Sequence, residues 1–213
     1  MSDLRVCLDP EATEIHLLLE GIHQGYGLDF RDYALPFVHR AFREALQEER
    51  LATVSALQER VLRDPACLER LLLSLTRKTR FFDAPGFYSG IREEILPLLR
   101  TYPSVRLWHA GCSTGEEVYS MAILLKEEGF LDRCRIYATE ATEAGLRGAK
   151  EGIFDPGARA AGAAGYRDAG GRGSLSDHYD VLDGRARLHE SLRQNILFAR
   201  HNPATDGSFN EFN

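Results

Sequence analysis

Apolar residues recur at steps of three and four over the first third of the chain. Ile15, Leu18, Leu19 and Ile22 form one stripe, Asp9 is placed to cap it, and Pro10 suits a first helical position. Gly25 and Gly27 end this helix. A second is expected from about Phe30 to Glu49, with Ala34, Val38, Phe42 and Leu46 on one line and Phe37, Ala41 and Ala45 beside them. Thr53 caps a third, and Asp64-Pro65 stops it and starts a fourth whose Leu68, Leu71, Leu72 and Leu75 face inward. The pattern predicts a small helical bundle over residues 1–75.

After Leu75 the helical period disappears. Thr76-Arg77-Lys78-Thr79-Arg80-Phe81-Phe82-Asp83-Ala84-Pro85 interleaves bases and aromatics and reads as a functional linker; a helix from Pro85 to about Arg100 follows, broken by Tyr102-Pro103. Residues 76–103 form this connecting segment. Beyond it the pattern changes again. Val105 to Ala110 reads as a buried strand, Gly111 to Gly115 as a turn, and Glu116 to Gly129 as a helix with Val118, Met121, Ala122 and Leu125 inward. Arg135 to Thr139 is the next strand, Glu143 to Lys150 a helix, and Ile196 to Ala199 a third strand. Alternating strand and helix imply an α/β domain over residues 104–213 with a parallel, doubly wound sheet. The stretch from Gly152 to Arg193, rich in glycine and alanine, is expected to be an irregular excursion.

Composition narrows the function without naming it. The chain of 213 residues carries 26 Lys+Arg against 32 Asp+Glu, a net charge of −6, so nothing in its overall charge draws it to nucleic acid. The four cysteines, Cys7, Cys67, Cys112 and Cys134, lack the close pairing of a metal or redox site and read as free thiols in a reducing compartment. No apolar stretch approaches membrane-spanning length and the N-terminus lacks a secretory pattern, so the expected location is the cytoplasm.

The sharpest chemical signal is Trp108-His109-Ala110-Gly111-Cys112-Ser113-Thr114-Gly115-Glu116-Glu117, a glycine turn that joins a strand to a helix. Glycines there let a ligand approach the backbone at the carboxyl end of the sheet. The second glycine is not followed by the Lys-Ser/Thr of a nucleotide triphosphate loop, and the spacing differs from the dinucleotide fingerprint. Acids directly after the turn favour a cationic or hydroxyl-bearing group; the competing account is that they merely complement the helix N-terminus. Glu140, at the end of the second strand, stands where such folds place an acceptor for ribose hydroxyls. Together the two features favour a ligand with an adenosine half and an amino-acid half, which S-adenosylmethionine has. His201-Asn202-Pro203 after the third strand falls at the same crevice.

These residues resemble a known family. Thr101-Tyr102-Pro103, Leu107 through Ser120, Tyr137-Ala138-Thr139-Glu140, His201-Asn202 and Thr205-Asp206-Gly207-Ser208-Phe209-Asn210-Glu211-Phe212 closely resemble the CheR-type chemoreceptor methyltransferases, and the helical segment around Gly27-Leu28-Asp29-Phe30-Arg31-Asp32-Tyr33 extends the likeness to the N-terminal domain. The resemblance implies an N-terminal helical bundle and a Rossmann-like, S-adenosylmethionine-dependent domain that esterifies glutamates on the cytoplasmic part of chemoreceptors. By analogy Glu116 binds the methionine amino group, Glu140 the ribose, and Ala110 and Gly111 the ligand through backbone. Asn202 and Pro203 lie at the adenine region, and Thr76 and Thr79 line the methyl-donor end. No metal is implied.

The chain also departs from the family pattern. Asp83 stands where an arginine is usual, in Phe82-Asp83-Ala84-Pro85 against Phe-Arg-Asp-Pro; Glu140 replaces an aspartate, Thr142 an asparagine, and Pro203 a leucine. Arg77, Lys78 or Arg80 are candidates to supply the positive charge lost at Asp83. The sequence stops at Asn213, where the family continues through further strands. That implies only the first half of the sheet, strand 105–110 as an uncovered edge, and a marginally stable or associating chain with weak or no turnover. Two other readings remain open: a homologue that binds the cofactor or a signalling partner without turnover, and a methyltransferase acting on small molecules or RNA.

Overall fold

The computed structural model describes residues 9–75, 79–201 and 206, without the side chains of residues 144, 156 and 158–160. The chain divides into two compact units, Met1–Thr76 and Arg77–Asn213.

Within the first unit four helices follow the predicted stripes: α1 (Pro10–Tyr26), α2 (Leu35–Glu49), α3 (Val54–Arg63) and α4 (Pro65–Leu75). The Asp9 side chain accepts from the Glu11 amide and Thr53 from that of Ala56, so both expected caps form. Gly27, at φ 68°, closes α1, while Gly25 lies inside it. The second helix begins at Leu35 rather than near Phe30. Pro36 fits the first turn, and Arg31 to Tyr33 instead turn tightly, with the Arg31 guanidinium bound to Asp29 and Glu20. Ile15, Leu18, Ile22, Val38, Phe42, Leu57, Val61, Leu71 and Leu75 fill the core between them.

The second unit opens with α5 (Pro85–Gly90), which runs through a π-helical turn (Ile91–Ile95) into α6 (Leu96–Leu99). The widened turn has a simple cause. Pro97 has no N–H to return to residue 93, and the Leu96 amide reaches back five residues, to the Ile91 carbonyl. Then come β1 (Val105–Ala110), α7 (Glu116–Glu127), β2 (Cys134–Glu140), α8 (Glu143–Glu151), β3 (Ile153–Phe154), α9 (Pro156–Asp168), β4 (Tyr179–Leu182), β5 (Arg185–Leu188), α10 (Glu190–Arg193) and β6 (Ile196–Arg200).

The main sheet is parallel in the order β1-β2-β6, with Val105 opposite Cys134 and Ile136 opposite Ile196. Among the described residues β1 is an edge of this sheet. The helices α7 and α8 share one face, since the Tyr119 hydroxyl donates to the Ala149 carbonyl and a Cβ on Gly115 would meet Ala149 at 3.0 Å. Val118, Tyr119, Ile123, Ile136 and Ala138 form the layer between helices and strands, and Tyr88 and Leu96 belong to the same core.

The stretch from Gly152 to Arg193 is not irregular. It holds a 13-residue helix, α9, and a second sheet, antiparallel in the order β3-β5-β4. Periodicity missed the helix because its packing face is built of glycine. A Cβ on Gly162 would meet Phe81 Cβ at 2.5 Å, and one on Gly165 the Phe82 carbonyl oxygen at 2.3 Å. The small face brings the helix down onto the aromatic pair that follows Arg80.

A buried polar knot ties these parts together. The Glu127 carboxylate, at the end of α7, accepts from Arg92 in the π turn, from the Tyr166 hydroxyl of α9 and from the Arg172 amide, and His178 Nε2 lies 3.3 Å away. The neighbouring Glu128 accepts from Arg92 and Arg172, each at 2.7 Å. Burial alone pushes the Glu127 carboxyl upward, but the hydrogen bonds from His178, Tyr166, Arg92 and Arg172 outweigh it and hold the group at about 2, against 4.5 ordinarily. A carboxylate depressed in the folded state stabilises it above its unfolded pKa and ceases to do so as pH falls toward the folded value. Urea unfolding of the wild type and Glu127→Gln is therefore expected to differ by about 3 kcal/mol at neutral pH, the gap closing between about pH 4.5 and 2. A gap independent of pH would show that the charge is not what stabilises the knot.

Candidate functional site

The site grows from the turn between β1 and α7. Gly111 has φ 71° and Gly115 φ 101°, and Ser113 is also left-handed at φ 47°. Such a conformation costs a side-chain-bearing residue about 1–2 kcal/mol, so the turn is held by its surroundings. The two glycines serve different purposes. Gly115 lets α7 pack against Ala149, whereas a Cβ on Gly111 would point into open space, with no atom within 4 Å. Ala110 and Gly111 are exposed at the end of β1, so their backbone is open to a ligand.

Glu140 holds this turn from β2. One of its oxygens accepts from the Ser113 amide at 2.9 Å and the other from the Thr142 amide at 3.1 Å and hydroxyl at 3.3 Å. Thr142 in turn caps α8 through the Gly145 amide. The carboxylate is 5% exposed, and Oε2, which accepts from Ser113 alone among the described residues, keeps a second lone pair for a hydroxyl donor. Its side chain is thus the brace of the glycine turn, with one acceptor position to spare.

Glu116 opens α7 and is 7% exposed. Its Oε2 accepts from the Thr79 hydroxyl at 3.0 Å and the Thr114 hydroxyl at 2.5 Å, while Oε1 has no hydrogen-bond partner among the described residues. A buried carboxylate with one oxygen unengaged, beside an open glycine backbone, is suited to a cationic donor such as an ammonium. The segment carrying Thr79 is fixed on both sides: the Phe82 amide donates to Ser120 Oγ, Phe82 takes φ 52°, and its carbonyl abuts Gly165 of α9.

Four residues expected at the site therefore converge with Thr79: Ala110, Gly111, Glu116 and Glu140. Thr76, Asn202 and Pro203 lie outside the described residues, as do Arg77 and Lys78. Their neighbour His201 is buried, donates its amide to the Glu140 carbonyl, and packs edge-on against Trp108 with ring centroids 5.7 Å apart. Sequence reasoning did not single out Thr114, Ser120 or Tyr88. Thr114 had a signal, a hydroxyl two residues before an acid in a glycine turn; Ser120 and Tyr88 had none, because their contacts come from the path of residues 79–88. Cys112 and Cys134 are free and buried, and burial pushes the Cys112 thiol up to about 12, which removes it as a nucleophile at neutral pH.

The cofactor suggested by the sequence can be set against this geometry. S-adenosylmethionine combines an ammonium, a ribose diol and an adenine, and Glu116 Oε1, the spare lone pair of Glu140 Oε2 and the open backbone at Ala110 and Gly111 are of the matching kinds. The residues fit.

Comparison with known proteins agrees. Residues 77–212 match the SAM-binding domain of CheR methyltransferase and residues 13–76 its all-alpha domain. Over 199 residues the chain is 47% identical to a protein of Pseudomonas putida named as the methyltransferase Cher3, covering 93% of this chain and 73% of that one. It is 35% identical over 89 residues to a chemotaxis protein methyltransferase of Borreliella burgdorferi, covering 37% of this chain and 31% of that one. A protein of the same name from Listeria monocytogenes is 24% identical over 136 residues, 62% of this chain and 52% of the relative. The chain belongs to the CheR family of methyltransferases, whose donor is S-adenosylmethionine.

Proposed function

We propose that the chain transfers a methyl group to glutamate side chains of a chemoreceptor's cytoplasmic part, giving γ-glutamyl methyl esters. The observation that carries this reading is the Glu116 carboxylate, buried at the start of α7, whose Oε1 has no hydrogen-bond partner among the described residues, in the same turn as the open backbone of Gly111. Glu116 holds the amino group of the donor, with Thr79 and Thr114 orienting the carboxylate through Oε2. Glu140 accepts from the ribose, and the Ala110 and Gly111 backbone lies along the amino-acid half. When bound, S-adenosylmethionine supplies a methyl group on a sulfonium, already activated toward an anionic oxygen.

The protein's own chemical task is then small. A glutamate carboxylate, with an ordinary pKa of about 4.3, is ionised at neutral pH, so no general base is needed. What remains is orientation: the carboxylate oxygen must approach the methyl carbon in line with the bond that breaks, with water excluded. The rigid path of residues 79–82, clamped between Ser120 and Gly165, provides a wall for that purpose. The proposed partner is a receptor that presents its glutamates at the cytoplasmic side; none of the described helices is long and apolar enough to cross a membrane.

The test uses S-adenosylmethionine labelled in the methyl group, the full chain and a chemoreceptor cytoplasmic fragment. Label that is incorporated and then released as methanol by mild base identifies a carboxyl ester. Label stable to base, or none, would sink the proposal. A second reading, binding without turnover, draws on Asp83, a carboxylate where the resemblance implies an arginine; it predicts donor binding with no incorporation.

A further inference from the structure

The mouth of the site is acidic. Glu116 and Glu117 start α7, and Asp83 follows Phe82, whose amide is held by Ser120 of the same helix. An acceptor that carries its own carboxylate meets repulsion here unless a cation receives it. His109 is engaged by Glu117, its Nε2 lying 3.5 Å from that carboxylate.

Among the described residues of this segment, Arg80 is the cation placed to act. It follows Thr79, the residue bonded to Glu116, and precedes Phe81 and Phe82, both buried, so its backbone is fixed while its side chain turns outward. The side chain is 62% exposed and its Nε donates to Asp83 Oδ1 at 3.0 Å, whereas the Asp83 side chain is only 13% exposed. The sheltered aspartate thus holds the guanidinium by one edge. The Nη1 and Nη2 groups have no partner among the described residues, and such a pair of parallel N–H donors matches a carboxylate in a two-point contact.

The geometry points to Arg80 as the residue that receives the acceptor's carboxylate, with Asp83 as its positioning residue. This rests on the glutamate reading above. Asp83 then plays a different part from the arginine expected at its position: it aims a cation three residues earlier in the chain. The acceptor is favoured over the donor's own carboxylate because the Arg80 side chain is 62% exposed, whereas Thr79 bonds a carboxylate that is only 7% exposed.

The experiment measures methyl transfer to the receptor fragment and, separately, calorimetric binding of S-adenosylhomocysteine, with the full chain. Arg80→Ala is expected to lower kcat/KM for the acceptor by about 30-fold or more, the usual worth of a lost charged hydrogen bond, and to change S-adenosylhomocysteine affinity less than about twofold. Arg80→Lys recovers only a small part, since an ammonium lacks the fork. Asp83→Asn raises acceptor KM about fivefold with kcat nearly unchanged, a split that general loss of structure does not produce. Three results overturn the inference. If Arg80→Ala methylates normally, the residue has no role and the glutamate reading stands. If Arg80→Ala weakens S-adenosylhomocysteine binding tenfold while acceptor KM is unmoved, the fork belongs to the donor. If the wild type binds S-adenosylhomocysteine but methylates no glutamate, the reading beneath the inference fails with it.

Discussion

Gly165→Ala is expected to destabilise the second unit by about 3 kcal/mol or more. The added Cβ would stand 2.3 Å from the Phe82 carbonyl oxygen and 3.2 Å from its carbonyl carbon. Those are backbone atoms, so no rotamer change relieves the clash. The Phe82 amide is tied to Ser120, and its ring sits in the core against Tyr88 and Tyr166. The segment cannot retreat without giving up one of these, and α9 must move outward instead. Thermal unfolding should fall by about 6–12 °C, on the scaling for a domain of this size. Gly148→Ala serves as the control: it lies in α8 with no atom within 4 Å of the added Cβ, and is expected to be neutral or mildly stabilising. Equal behaviour of the two variants would refute the packing account of α9.

Gly111→Val is the second large effect, and it falls on binding. Gly111 sits at φ 71°, where a β-branched residue is strained, so a loss of about 1–3 kcal/mol in stability is expected. The larger consequence is steric. The space beside its Cα is open in the protein itself and is the place where the donor's backbone half lies in the proposed complex. Filling it with an isopropyl group should reduce S-adenosylhomocysteine affinity about 100-fold or more while the circular dichroism spectrum is retained. A folded variant that binds normally would remove the turn from the site.

The contrast between these positions shows what the chain declares openly. Asp9-Pro10, Thr53 and Asp64-Pro65 announced helix boundaries because a cap and a proline act within a few residues of one another. The glycine turn after Ala110 was legible for the same reason, and so was Glu140 as the acid closing β2. The long span from Gly152 to Arg193 hid its order, since α9 is defined by what it lacks: Gly162 and Gly165 are a contact surface only once Phe81 and Phe82 lie beneath them. The spacing of those glycines was the available clue. Nothing local revealed the knot around Glu127, whose partners at positions 92, 166, 172 and 178 come from separate elements. Asp83 read as a reversed charge; the structure shows it accepting a hydrogen bond from Arg80. Glu140 read as a ribose acceptor; what the structure shows is that it braces Ser113 and Thr142.

The central claim is that Glu116 grips the amino-acid half of the donor. Titration of S-adenosylhomocysteine and of 5′-methylthioadenosine, which lacks that half, into the wild type and Glu116→Gln isolates the contact. Glu116→Gln should weaken S-adenosylhomocysteine by about 100-fold, as loss of one partner of a buried charged pair does, and leave methylthioadenosine within about twofold. Equal losses for both ligands, or a loss for neither, would contradict the account.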